Sequence, residues 1–329
     1  MGATWKCYVS QGDCMEQKRF TFNLLKPTHR ISNLLLLVII LALLTLYVLN
    51  ASRPGQAAEG CPDGCATVAE RTAGPVRVLS LNMLHGFPRF KDLQLRLDLI
   101  AAGIKRVDPD AVLLQEVPWT VRTGNGAEYL AQKLGYNYLY YRASGNKSLI
   151  FFEEGEAILS RYPLKDAEYT ELPPGMGFFE HRVALGSTVD TPWGEVRLFV
   201  THLTNKDPLV GAGQAESLKR FVELYTQGIA VVAGDFNARE DSPQIIELAR
   251  VWTDAYRAAH PDDGGLTCCI DDLVTGPEEP LEKRIDYIFL VNQNQTIKNT
   301  QLAFDQPMLI GDGWQWVSDH IGLMVEFEP

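Results

Sequence analysis

The stretch Val231-Val232-Ala233-Gly234-Asp235-Phe236-Asn237 decides how this chain is read. Residues 229–233 form a short apolar run rich in β-branched side chains, the composition of a buried strand. Gly234 then lets the backbone turn, and Asp235 and Asn237 follow at i and i+2. On an extended backbone those two side chains project to the same side. An acid and an amide therefore leave the end of a core strand together, and strand ends are where α/β proteins build sites. The same Gly-Asp-x-Asn also reads as an Asx-type turn capping a strand. On these residues alone both readings stay open.

Working outward, residues 214–225 and 243–250 read as helices on either side of this strand. Upstream, 76–83 alternates as a strand, 93–107 has helical spacing with Asp92 as a candidate N-cap, and Asp108-Pro109-Asp110 breaks it. Residues 111–116 read as a buried strand that ends in the acid Glu116. A helix over 127–134 closes at Gly135, and strands follow over 136–141 and 157–160. Strands over 181–189 and 195–202 are joined by the turn Thr191-Pro192-Trp193-Gly194 and read as a hairpin. Residues 261–283 form a long loop containing Asp262-Asp263-Gly264-Gly265 and the vicinal Cys268-Cys269, and long loops in compact domains are usually functional. Strands over 285–290 and 322–327 end the chain. The mixture indicates an α/β sheet protein whose hairpins rule out an all-parallel barrel.

The N-terminal end is of another kind. Residues 31–49 are nearly all apolar, and a helix of that length spans about 28 Å, close to the hydrocarbon thickness of a bilayer. Residues 1–50 are net basic, with the basic side chains ahead of the run, which predicts the N-terminus inside and the remainder outside. We read 1–30 as a cytoplasmic segment, 31–50 as an uncleaved transmembrane signal anchor and 51–75, rich in Ala, Gly and Pro, as a linker. A cleaved signal peptide leading to secretion is the competing reading. Cys7 and Cys14 fall on the inner side, and Cys61, Cys65, Cys268 and Cys269 on the outer. The four outer cysteines permit disulfides of unreadable connectivity, although adjacent Cys268 and Cys269 bridge each other only with difficulty. Cys/His spacing gives no zinc finger. The net charge is −11, all of it and more carried by residues 76–329, which weakens any proposal of tight non-specific duplex binding.

Polar residues recur at the ends of otherwise apolar strands: Asn82, Glu116, His202, Asp235 with Asn237, and Asp319-His320. Asp286, flanked by Ile285 and Tyr287-Ile288-Phe289, is a buried acid in need of a partner. Each has a structural explanation alone; together they point to chemistry. Glu116 and Asp319 with the Asn82 amide are hard oxygen donors suited to Mg²⁺ or Mn²⁺. The histidines and spare carboxylates remain for proton transfer and charge stabilisation. Neither a Gly-x-Ser-x-Gly elbow nor a P-loop is present.

These motifs resemble those of the endonuclease/exonuclease/phosphatase superfamily, the DNase I-like fold. The resemblance covers residues 76–329 and rests on Leu81-Asn82, Gln115-Glu116, Ala157-Ile158-Leu159-Ser160-Arg161-Tyr162-Pro163-Leu164, Thr201-His202-Leu203, Gly234-Asp235-Phe236-Asn237, Arg284-Ile285-Asp286-Tyr287-Ile288 and Ser318-Asp319-His320. It implies a four-layered α/β sandwich, two mixed sheets face to face between helices, with the site at one edge. It implies a divalent metal held mainly by Glu116, with Asn82 and Asp319 nearby. Asp235 would orient or deprotonate the attacking water, and Asn237 would hold a phosphate oxygen. Asp286 would orient His320, which stabilises the transition state. His202 would protonate the leaving group, and Asn205 would lie near the phosphate. The resemblance departs at Leu84, where apurinic/apyrimidinic endonucleases carry an acid, and this lowers the case for abasic-site repair.

The reaction so implied is metal-assisted attack of water on a phosphoester. A phospholipid or sphingomyelin-like phosphodiester fits a membrane-tethered enzyme; an extracytoplasmic nuclease is the second reading and a non-catalytic binding module the third. Aromatic residues in Met176-Gly177-Phe178-Phe179 and Asp312-Gly313-Trp314-Gln315-Trp316 could touch lipid, stack on bases or pack in the core. No segment points to a protein partner.

Overall fold

The structure is a computed structural model that describes residues 27–292 and 295–328. Cys7 and Cys14 lie outside the described residues. The chain divides into two compact units, Met1–Tyr47 and Val48–Pro329. In the first, helix α1 (Pro27–Ala51) begins, and its residues 31–47 are exposed, among them most of its leucines, isoleucines and valines. The segment Ile31–Val48, with mean hydropathy 2.7, is long and apolar enough to cross a membrane; a signal sequence would answer the same description.

The second unit holds, in chain order, β1 (Glu59–Cys61), β2 (Val76–Asn82), α2 (Leu93–Val107), β3 (Ala111–Thr120), β4 (Gly124–Asn125), α3 (Gly126–Leu134), β5 (Asn137–Asn146), β6 (Phe152–Ser160), β7 (Lys165–Glu171), β8 (Val183–Thr191) and β9 (Gly194–His202). There follow α4 (Pro208–Tyr225), β10 (Ile229–Asp235), α5 (Pro243–Ala249), β11 (Trp252–Asp254), α6 (Ala255–Ala259), β12 (Asp286–Val291), β13 (Thr296–Ala303), β14 (Met308–Ile310), β15 (Gly313–Gln315) and β16 (Gly322–Glu328). Among the described residues, one sheet runs β1-β5-β6-β3-β2-β16-β13 with β4 beside β3, and a second runs β11-β12-β10-β9-β8-β7. Both are mixed: β2 and β3 are parallel, as are β9 and β10, and their other pairings are antiparallel.

Period-two patterning gives each sheet an inner and an outer apolar face. Val78, Leu113, Ile158 and Val325 of the first sheet share one buried cluster with Val200, Val231, Ala233 and Ile288 of the second. Helices α2 and α3 pack on the outer face of the first sheet through Leu97, Ile100, Ile104 and Leu130. Helices α4 and α5 cover the second through Leu218, Val222, Ile245 and Leu248. Each such side chain contributes about 1.5–3 kcal/mol by leaving water, and the result is the four-layered α/β sandwich.

Several local readings change. Gly234 does not turn the chain, because β10 runs on through Asp235. The glycine is required by close approach: a Cβ there would lie 1.9 Å from the Thr201 carbonyl oxygen on the parallel neighbour β9. Nor does Glu116 end a strand. The β3–β6 register shifts between Leu114 and Val117, Glu116 takes φ 54°, and the strand continues to Thr120. A bulge of this kind re-aims a side chain out of the ladder. Asp92 sits at the N-cap of α2 without a side-chain capping bond. Helix α4 starts at Pro208, six residues before the expected Gln214, with Asp207 capping the Leu209 and Val210 amides.

The linker-like stretch after residue 51 is laid against the domain: β1 pairs with β5, and the Cys65 and Ala66 amides donate to Asn137 Oδ1. Cys61 bonds to Cys65. Cys268 and Cys269 do bridge each other, contrary to expectation, across a cis peptide.

Candidate active site

The C-terminal ends of β9 and β10, the β3 bulge and the turn Ser318-Asp319-His320 border one cavity of about 580 Å³. Glu116, His202, Asn205, Asp235, Asn237, Asp319 and His320 all line it. Asn82 and Asp286 do not; they are buried behind its wall.

Asp235 is the centre of the arrangement. Its Oδ1 accepts the Asn237 backbone N–H at 2.8 Å, an Asx turn. Its Oδ2 lies 3.1 Å from Asn82 Nδ2, 3.3 Å from His202 Nε2 and 3.7 Å from His320 Nε2. The turn reading and the site reading thus hold at once, one oxygen for each. Burial, then the nearby Asp286 charge, raise the Asp235 carboxyl to about 7, although His320 and the Asn237 amide oppose the rise. A carboxyl poised there can take a proton from water near neutrality.

Asp286 occupies the first position of β12, directly across from Asp235. Its Oδ2 accepts His320 Nδ1–H at 2.9 Å and Thr267 Oγ1–H at 2.6 Å, while its Oδ1 has no partner among the described residues. Burial opposes charge on His320, but Asp286 and Asp235 outweigh it and hold the imidazolium well above its ordinary pKa. His320 is therefore a buried cation. His202 is the opposite case: burial, then Arg182 and His320, push it well below the ordinary value. It stands neutral in these surroundings, its Nε2 2.9 Å from the Asn237 amide nitrogen.

Asn82 holds two acids together, its Nδ2 donating to Glu116 Oε1 at 3.3 Å and to Asp235 Oδ2. Its oxygen accepts the Leu84 amide at 3.1 Å, which occupies one of its two lone pairs. Ser318 Oγ–H donates to the Asn82 carbonyl at 2.6 Å and ties the Asp319-His320 turn to β2. Burial opposes charge on Glu116, but the His85 ring, followed by its backbone N–H at 3.1 Å from Oε2, lowers that carboxyl. Burial raises Asp319; His320 counters this, and the neighbouring Glu116 charge adds to it. The Glu116 and Asp319 carboxylates both line the cavity, and hard oxygen donors of this kind fit a small divalent cation. The group Asp235, Asp286 and His320, whose donor atoms lie within 4.8 Å of one another, is instead joined by the contacts already described.

Some residues here gave no local signal in the sequence. Arg96 of α2 is buried and donates to the Met83, Leu84 and Val317 carbonyls at 2.8, 2.8 and 3.0 Å, fastening the β2 end to the final turn. Burial lowers its pKa to about 10, still cationic at neutral pH. Arg182 lines the cavity opposite His320's turn, and Glu154 and Glu156 of β6 are buried acids whose carboxyls burial raises, Glu156 well above the ordinary range. An amphipathic helix can hide an arginine in its apolar face without betraying it by periodicity, though the three acids of Glu153-Glu154-Gly155-Glu156 in β6 were open to notice.

A buried acid near neutrality, a buried imidazolium and hard oxygen donors at one edge of a two-sheet sandwich define a phosphoester-hydrolase type of fold and site. A sequence profile of the Endonuclease/Exonuclease/phosphatase family matches residues 79–320, and the chain belongs to that family. Its members are usually hydrolases acting on phosphoester bonds and generally use divalent metals. No curated protein matches the chain. Among solved structures it is similar to an endonuclease/exonuclease/phosphatase from Beutenbergia cavernae (22% identity, TM-score 0.60, 78% of this chain and 72% of that one). It is also similar to one from Bacteroides vulgatus (21%, 0.61, 78% and 99%) and to D. rerio TDP2 complexed with a single-strand DNA product (17%, 0.61, 77% and 99%). At these identities the likeness is one of fold.

Proposed function

We propose that the chain is a divalent-metal-dependent phosphodiester hydrolase, acting outside the cytoplasm on a lipid-type substrate. The observation that carries the hydrolase reading is Asp235, whose Oδ2 faces both histidines at a carboxyl raised to about 7. Glu116 and Asp319 would hold Mg²⁺ or Mn²⁺, which supplies Lewis-acid neutralisation of charge on the phosphate and leaving oxygen. Asp235 orients the attacking water and takes its proton. Asn205 at the cavity wall binds a phosphate oxygen, and the Asn237 amide joins it by exchanging its bond to His202 Nε2 or to the Leu203 carbonyl. Cationic His320, fixed by Asp286, offsets the charge that develops on the phosphorus oxygens. His202, neutral, keeps Asn237 and Asp235 in register. Asn82 acts as a positioning residue between Glu116 and Asp235.

The lipid preference and the outward placement rest on the apolar run Ile31–Val48 as an anchor, since tethering at a membrane raises the effective concentration of a membrane substrate. A nuclease is the second reading, favoured by the fold shared with TDP2 in its single-strand DNA complex. The full chain in lipid nanodiscs should turn over bis-p-nitrophenyl phosphate with Mg²⁺ or Mn²⁺ and lose that turnover in EDTA. Full activity in EDTA removes the metal from the reading. A panel of sphingomyelin, phosphatidylinositol phosphates, plasmid and single-stranded DNA separates the two substrates, and turnover of DNA alone overturns the lipid reading.

A further inference from the structure

Beside the catalytic cavity lies a second pocket of about 550 Å³, wholly within residues 48–329. The two share Glu116 and Arg182 as a common wall, so a molecule with its phosphate at the first can extend into the second. The second is lined differently. Phe87 stacks on Phe152 at 4.6 Å between ring centroids, and Phe90 and the His85 ring complete the cluster around Phe152 at 5.5 and 5.2 Å. Phe179 and Ile150 supply further apolar wall, and Phe87 and Phe179 remain about half exposed. Lys206 and Arg182 also line it, each paired to the Glu180 carboxylate beside them. Val48, the last residue of the apolar run Ile31–Val48, also lines it.

We propose that this pocket receives an alkyl or acyl chain of the substrate while the phosphodiester sits at Asp235 and His320. The inference rests on the phosphodiesterase reading above and adds a specificity site to it. Exposed aromatic wall is costly in water and is relieved by an apolar occupant. Continuity with the catalytic cavity makes that occupant part of the substrate. The alkyl or acyl chain of a lipid, covalently joined to the phosphate, matches the apolar lining. Phe87, Ile150, Phe152 and Phe179 would then select for chain length.

The test is a ladder of methyl, butyl, hexyl and octyl p-nitrophenyl phosphodiesters, each below its micelle concentration, with the full chain in nanodiscs and Mg²⁺. Transfer of methylenes from water predicts kcat/KM rising by about threefold per methylene until the pocket is filled. Phe87→Ser and Phe179→Ser should each lower the octyl-to-methyl ratio of kcat/KM by at least about threefold. Because that ratio is internal to one sample, partial misfolding cancels from it. Turnover with no dependence on chain length, or variants with the wild-type ratio, overturns the pocket's assignment and leaves the phosphodiesterase reading standing. No turnover of any ester overturns both. Thymidine 5′-p-nitrophenyl phosphate outrunning the octyl ester overturns the alkyl assignment in favour of a stacked base.

Discussion

Replacing Asp286 by asparagine tests the electrostatics of the site most directly. The side chain keeps its shape but loses its charge, 2.9 Å from His320 Nδ1 and across the ladder from Asp235. A hydrogen bond to a charged group is worth about 1.5–3 kcal/mol, so the His320 pKa should fall by about one to two pH units. The imidazolium is present below its pKa and lost as pH rises through it; D286N therefore brings the alkaline decline in rate to lower pH. Asp235 moves in the same direction. Its carboxyl is raised first by burial and next by Asp286, and its basic form exists only above its pKa. Removing Asp286 lets that form appear at lower pH, so the acidic limb shifts down as well. The assay is a pH profile of kcat/KM between pH 5 and 9 on a p-nitrophenyl phosphodiester with Mg²⁺. The whole bell should move to lower pH, its alkaline limb by about one to two pH units. A D286N profile that overlays the wild type in both limbs refutes the pairing as a source of function.

Two further substitutions probe the frame. Gly234→Ala would place a methyl 1.9 Å from the Thr201 carbonyl oxygen, and the two strands must part to admit it. Overpacking of this kind costs about 3 kcal/mol, which should lower Tm by roughly 5–10 °C in differential scanning calorimetry and reduce turnover as Asp235 shifts. Arg96→Met would leave the Met83, Leu84 and Val317 carbonyls without their buried donor. Loss of a buried charged partner costs about 3–5 kcal/mol, so the midpoint of urea unfolding should fall and metal-dependent turnover should weaken; an unchanged midpoint speaks against Arg96 as the fastening of the site.

Much of the architecture follows from the sequence because apolar periodicity is a local property. Helix α2 lies where its spacing placed it, residues 93–107, and the β8–β9 hairpin turns at Thr191-Pro192-Trp193-Gly194 as its turn residues require. Of the strands missed in the sequence, β1, β7, β11 and β13 are the edges of the two large sheets, and β4, β14 and β15 are only two or three residues long. Edge strands face water and need no apolar run; β7 reads Lys165-Asp166-Ala167-Glu168-Tyr169-Thr170-Glu171 and has no fully buried residue. The early start of α4 was written in Asp207-Pro208, an N-cap followed by proline at N1, but the glycines after it obscured the helix.

Of the site, the sequence by itself determined the inventory: Gly234-Asp235-Phe236-Asn237 after an apolar strand, and acids, amides and histidines at the ends of other strands. Those residue types restricted the chemistry to hard-cation and proton work before any contact was known. What they do together was decided only when β9, β10 and β12 came into register and the β3 bulge turned Glu116 toward them. Protonation depends on burial and on charges brought in by other strands and loops, so His320 becomes a cation and His202 stays neutral although both are histidines at strand ends. The single stretch at 234–237 shows the division. Its local geometry, an Asx turn on Oδ1, is set by neighbours two residues apart, whereas the surroundings of Oδ2 come entirely from other strands.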